Sequence, residues 1–341
     1  MSEANEPKTK KISLTGIQST GMPHVGNYLG AIRPALNMAQ SGEYHGHYFI
    51  ADYHSLNSIH SAETLRNNTY EVAACWLACG LDPESTVIYR QSDIPEIPEL
   101  AWILGCFTHK GLMNRAHSYK AAVQGNEENQ KDPDHGINIG LYTYPILMAA
   151  DILIVGADEV PVGPDQVQHL EMARDIAGVI NHNFGEVLKL PKAITKDEIL
   201  IDGLDGRKMS KSYGNHIPLF ETEKRVKKLI NKIKTDSSEP HEPKEIEGNL
   251  IFKLYTHFAS LEEQESLKER YKTGIGWGEA KAELFQAVNR ELTPMRERYN
   301  YLMDNKSEID EILEAGAQKI RAKSRPLLEN LKEAVGISKF K

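Results

Sequence analysis

Through its first two hundred residues the chain alternates short apolar runs with longer stretches of helical spacing, and this alternation constrains the fold most. Residues 12–17, 47–51 and 86–89 are apolar runs of strand length, the first ending in a glycine-containing turn. Between them, 28–39 and 63–79 carry apolar residues at helical spacing. Strands joined by helices of this length become parallel neighbours in a sheet covered on both faces. Ligands of such sheets collect beyond the carboxyl ends of the strands. After Asn215 the pattern changes: 221–233, 249–260, 261–271, 278–303 and 307–335 read as helices, around a polar, proline-containing connection at 235–248. The expectation is an α/β fold. A polar tail (1–11) precedes a Rossmann-like parallel-sheet domain (12–215), and an α-helical domain with a C-terminal helix (216–341) follows.

Composition narrows the class. With 341 residues, 40% hydrophobic and 26% charged, the chain can bury a core and is long enough for two domains. The first eleven residues are polar and charged, unlike a secretory signal. The most apolar segment, 145–155, falls well short of the roughly 20 residues a membrane helix needs and contains Asp151. A soluble, cytoplasmic protein without a membrane partner is expected. Cys75, Cys79 and Cys106 are too few for a disulfide framework, and Cys75 with Cys79 reads as a buried pair on one helix face. His45 and His47 lead into an apolar run, and no resident metal is expected. The net charge of −8 argues against indiscriminate nucleic-acid binding, yet 224–234 (KRVKKLINKIK) holds six basic residues and no acid. That run is either a solvated helix face or a local grip on phosphate.

Two segments carry chemistry. Residues 21–30, GMPHVGNYLG, follow the first strand-like run and open a helix, where backbone amides and the helix dipole favour phosphate. His24 and Asn27, on either side of Gly26, add two side-chain donors. The segment matches neither the Walker loop nor the dinucleotide pattern. Residues 206–215, GRKMSKSYGN, set Lys208 and Lys211 on one side of a tight loop with the hydroxyls of Ser210 and Ser212 and a glycine hinge towards each end. Compact ammonium charges on flexible stems suit a transferring phosphoryl group or a leaving pyrophosphate.

Pro23–Asn27 resembles the HIGH signature of class I aminoacyl-tRNA synthetases, and 208–212 is their KMSKS signature letter for letter. The segments 15–34, 143–153, 160–177 and 293–299 are similar to tryptophanyl-tRNA synthetases in that class, and the resemblance runs from Leu14 over nearly the whole chain. It implies activation of L-tryptophan by ATP, carried with Mg2+ as substrate, and transfer to the 3′ end of tRNA(Trp) by a homodimer whose helical domain reads the anticodon. His24, Asn27, Lys208 and Lys211 would be catalytic. ATP would be bound by Gln18, His24, Gly26, Asn27, Gly163, Asp165, Lys208, Met209, Ser210, Lys211 and Ser212. Tryptophan would be bound by Gln18, His54, Tyr144, Met148, Asp151, Val160, Val162 and Gln166. His169 reads as part of a helix face.

The tryptophan slot has a physical rationale. Tyr144, Met148 and Asp151 stand at i, i+4 and i+7 on one helix face. A buried carboxylate needs a donor. An aromatic ring and a thioether beside it make a flat apolar slot with one acceptor, which fits an indole with its single N–H. Two departures stand out: Ser19-Thr20 replaces the usual Pro-Ser, and Lys120 lacks the second lysine of a Lys-x-Lys pair, where Ala122 stands; Arg115 is the candidate substitute. Two alternatives remain. Tyrosine specificity would need a second polar group beside Asp151, and none lies on the Met148 face. A synthetase-like paralogue with a regulatory or RNA-binding role would have no use for both loop lysines.

Overall fold

A computed structural model of the chain describes residues 10–19, 21–163, 166–195 and 200–339. Five strands, β1 (Lys11–Ile17), β2 (Tyr44–Ile50), β3 (Val87–Arg90), β4 (Glu159–Val162) and β5 (Lys192–Thr195), form a parallel sheet in the order β3-β2-β1-β4-β5. The chain winds outward from β1 to β2 and β3, then returns to the other side for β4 and β5. The loops leaving β1 and β4 therefore diverge and open a crevice at the carboxyl edge.

Helices fill the crossovers. α1 (Val25–Asn27) and α2 (Arg33–Gln40) follow β1, α3 (Asp52–Ser55) and α4 (Ala62–Ala78) follow β2, and α5 (Glu96–Cys106), α6 (Lys110–Met113), α7 (His117–Glu128) and α8 (Ile139–Ile154) follow β3. α9 (Val167–Phe184) links β4 to β5. Beyond the sheet come α10 (Glu223–Ile230), α11 (Leu250–Tyr255), α12 (Leu261–Thr273), α13 (Trp277–Asp304) and α14 (Lys306–Ala334). The helix expected at 28–39 begins with a π-helical turn, Tyr28–Ile32. Pro34, which has no N–H to continue the ladder, sits just inside α2, and the widened turn accommodates it.

β2 shows how the sheet divides the interior. Tyr48 and Ile50 belong to one buried cluster, while Phe49 and Ala51 belong to the other, as alternation across a pleat requires. The first cluster runs from α1, α2 and α4 into α10 to α13, so these later helices share a core with one face of the sheet. The second joins α5, α8, α9 and the later part of α14. Cys75 and Cys79 are free thiols within the first cluster, and Cys106 is an exposed one.

The expected helical region 216–341 does not stand apart from the sheet, because α14 returns to it. A Cβ on Gly316 would lie 1.8 Å from the Ile88 carbonyl oxygen, so only glycine allows this helix so close to β3. Arg321 and Arg325 then hold the buried Glu96 of α5 at 3.3 and 3.0 Å.

Candidate active site

The turn Pro23–Asn27 stands where β1 gives way to α1. His24 Nδ1 accepts from the Asn27 amide at 3.2 Å, and Asn27 Oδ1 accepts from the His24 amide at 3.1 Å, a reciprocal cap that closes the first turn. The Val25 amide donates to the Ile217 carbonyl at 2.8 Å, the Gly26 amide to the Met209 sulfur at 3.2 Å, and the Tyr28 amide to the His24 carbonyl at 3.1 Å. The expectation that bare helix amides cradle phosphate is therefore corrected. The cap and the adjoining loop already use them, and donation falls to side chains. Because Nδ1 is the acceptor, the neutral His24 ring carries its proton on Nε2. Burial, helped by the nearby His216 and Lys211, lowers the His24 pKa to about 4, so the ring is neutral at pH 7. Asn27 keeps its amide NH2 as donor.

The loop 206–215 is seated on this turn. Gly206 and Gly214 adopt left-handed φ of 84° and 63°, bending the chain at each end. Asn215, buried, staples the loop: its Oδ1 accepts from the Ser210 amide at 2.8 Å, and its NH2 reaches Asp205 at 2.6 Å and the Lys208 carbonyl at 3.1 Å. Met209 is buried against Gly26, whose missing side chain admits it. Lys208 pairs its backbone with Asp202. Lys211 opens a three-residue 3-10 turn that Ser210 caps. A cleft of about 270 Å³ is lined by Gln18, Gly21, Pro23, Asn27, Trp76 and Lys211, among others, at the carboxyl end of β1.

Asp151 lies deeper and is fully buried. Gln91 Nε2 donates to its Oδ1 and Oδ2 at 2.8 and 2.9 Å, and His54 Nε2 is 3.0 Å from Oδ2. Gln91 follows β3, His54 follows β2 and Asp151 rides on α8, so three crossovers converge on one carboxylate. Burial raises its pKa from the usual carboxylate value, while His54 and Gln91 act in the opposite direction. The His54 ring meets the Tyr144 ring edge-on, with centroids 6.2 Å apart. The Tyr144 hydroxyl bonds to Ser118 Oγ at 3.0 Å and to His169 Nε2, and His169 Nδ1 reaches Gln166 Oε1 at 3.0 Å. This network ties α7, α8 and the start of α9 together beside His54 and Asp151.

The family model for class I tRNA synthetases (W and Y) matches residues 6–293. A tryptophan–tRNA ligase of Neisseria meningitidis is 54% identical over 98% of this chain and 100% of its own length. The chain belongs to the class I tryptophanyl-tRNA synthetases. A second such ligase, from Pseudomonas putida, is 49% identical over 96% of this chain and 74% of its own length. The crystal structure of the Campylobacter jejuni tryptophanyl-tRNA synthetase, complexed with ADP and tryptophan, superposes with a TM-score of 0.86 at 41% identity, covering 95% of this chain and 99% of that one.

In this synthetase the residues singled out in the sequence fall into two groups. Gln18, Asn27 and Lys211 meet at the cleft beyond β1, with His24, Gly26, Met209, Ser210 and Ser212 in the adjoining turn and loop. His54, Tyr144, Asp151 and Gln166 are joined by hydrogen bonds or ring contacts, and Met148, Val160 and Val162 belong to the apolar cluster behind them. Gly163 is exposed just past β4, and Asp165 lies outside the described residues. Lys208, though in the loop, is exposed and is not among the residues that line the cleft. Lys120 and Arg115 are both exposed, on and just before α7. His169 does more than fill a helix face, because it is buried against Tyr144. Gln91 and Asn215 escaped the sequence reading. An asparagine directly after the last glycine of the loop was the available signal for Asn215; Gln91 offered none beyond its place after a strand.

Proposed function

We infer that this chain activates L-tryptophan with ATP, releasing pyrophosphate, and transfers the tryptophanyl group to tRNA(Trp). The observation that carries the specificity is the fully buried Asp151, held by Gln91 and His54 beside the Tyr144 ring. The carboxylate accepts the indole N–H. Gln166 faces the polar end of the amino acid, Tyr144 and Met148 flank the ring, and Val160 and Val162 back it. The tryptophan carboxylate oxygen attacks the α-phosphorus as the bond to pyrophosphate breaks, so the protein supplies position and charge and needs no nucleophile of its own. His24, neutral, donates from Nε2, and Asn27 donates from its amide to the phosphates. Lys211, with Lys208, answers the charge that builds on the leaving pyrophosphate. Mg2+ arrives with the nucleotide, and phosphate oxygens suit it as ligands; Gln18, Gly163 and Asp165 would contact the nucleotide.

In the second step the 3′-terminal adenosine hydroxyl of the tRNA attacks the adenylate carbonyl and AMP leaves. The catalytic domain spans 12–215. Within 216–341, α10 to α13 form the anticodon-reading part, and the exposed Lys224, Lys227 and Lys228 of α10 meet the tRNA backbone. An apolar groove of about 630 Å³ between α5 and α8 leaves Trp102 77% and Ile139 75% exposed, which supports a second copy of the chain as partner. No helix among the described residues is long and apolar enough to cross a membrane, and cytoplasmic residence is part of this reading. ATP–pyrophosphate exchange with each amino acid tests the whole. Exchange with tryptophan alone is expected, and comparable exchange with tyrosine would overturn the assignment.

A further inference from the structure

The Asp151 carboxylate is more fully engaged than an isolated acceptor would be. A carboxylate offers roughly four lone-pair directions. Gln91 takes one on each oxygen, and His54 takes another on Oδ2. One direction remains. Gln91 is itself held: it is fully buried, and its Oε1 accepts from the Tyr53 amide at 3.1 Å. With the oxygen committed to the backbone, the NH2 must face Asp151, and the amide cannot turn over without placing oxygen against oxygen. The other groups that face the carboxylate are His54, Asp52 and Tyr89. The Tyr89 hydroxyl is buried with no hydrogen-bond partner among the described residues, so it adds no donor.

We propose that Gln91 is a positioning residue for substrate selection, holding Asp151 as an ionised acceptor with one place left for a single ring N–H. This rests on Asp151 being the indole acceptor. Without the Gln91 amide the carboxylate has one donor left, His54, and burial favours its protonation; the charge that rewards an N–H is then lost. With it, a ring that brings no donor leaves a buried lone pair unmatched.

The test is ATP–pyrophosphate exchange by the full chain with L-tryptophan and with β-(benzothiophen-3-yl)alanine, in which sulfur replaces the indole N–H. The unmodified protein should prefer tryptophan by roughly 10- to 100-fold in kcat/KM. Absence of that preference would remove Asp151 as the acceptor, and this proposal with it. Gln91→Glu keeps the size and the acceptor for the Tyr53 amide but sets two carboxyl groups together. Gln91→Met removes both polar atoms. Each should raise the tryptophan KM about tenfold or more, leave the ATP KM and kcat near their original values, and bring the preference towards one. If Gln91→Met melts too early to assay, Gln91→Glu decides. A folded Gln91 variant that keeps the full preference would overturn the proposal while leaving Asp151 in place.

Discussion

Gly26→Ala probes the seam between the two signature segments. A Cβ at this position would stand 3.0 Å from the His24 Cε1 and Nδ1 atoms and 3.2 Å from the Met209 Cβ. Comfortable carbon contacts lie at about 3.5–4.0 Å, so the ring and the loop must each yield by a few tenths of an ångström. Gly26 lies inside α1, where alanine gains about 0.5–1 kcal/mol over glycine. Crowding costs about 1–3 kcal/mol. The gain offsets part of the crowding, and a net loss of about 0–2.5 kcal/mol would show as a melting temperature lowered by a few degrees. Activity has no such compensation. His24 Nδ1 holds the Asn27 amide and the Met209 sulfur receives the Gly26 amide, so the same displacement moves both phosphate donors and the Lys208–Ser212 loop. Since a shift of about 1 Å can cost roughly a hundredfold, a shift of this size should lower kcat for ATP–pyrophosphate exchange about tenfold. The tryptophan KM should hold, because Asp151 and its donors lie outside the strained contact. Exchange at saturating tryptophan, with thermal melts alongside, measures both. An unchanged kcat would mean that the seam does not position the phosphate donors.

Lys211→Ala should slow adenylate formation about a hundredfold while tryptophan binding, followed by equilibrium titration, stays within twofold; equal losses in both would reduce the loop to a scaffold. Neutralising Lys227 and Lys228 together should weaken tRNA binding and flatten its salt dependence by about one to two logarithmic units of slope, with pyrophosphate exchange unaltered. Unchanged affinity would leave α10 with an ordinary solvated face. Acid should destabilise the fold through His47, which is 2% exposed and whose pKa burial lowers to about 3. The unfolded chain takes up this proton as pH falls below about 6.5, and the folded chain does not until near 3. The stabilisation is therefore complete at pH 7 and is lost as pH falls through that window, by about 2–3 kcal/mol at pH 4.5. Urea unfolding of His47→Gln at both pH values should show a shallower loss than the unmodified protein, and parallel losses would refute the assignment.

Residues close in sequence were the most legible. The apolar runs at 12–17, 47–51 and 86–89 became β1, β2 and β3, and the helical stretches after 215 became α10 to α14 with ends shifted by a few residues. Local spacing also set His24 near Asn27 and the tight turn around Lys211, although it offered the first pair only as two donors and not as the reciprocal cap that they form. It misled where a neighbour intervened. The open amides at the start of α1 follow from any helix N-terminus read alone, but Ile217 and Met209, far along the chain, consume them.

An acid inside an apolar helix announces itself from composition and periodicity alone, because both depend on neighbours along the chain; so do the strand–helix alternation and the lysine-bearing loop. Which partner meets that acid is another matter. Gln91 lies 60 residues before Asp151, and the two come together only because β3 and α8 deliver their ends to the same side of a sheet whose order no local pattern encodes. The return of α14 onto β3, permitted by one missing Cβ at Gly316, was decided in the same way. Periodicity says which face of an element must be buried, but what it is buried against depends on the winding of the whole chain.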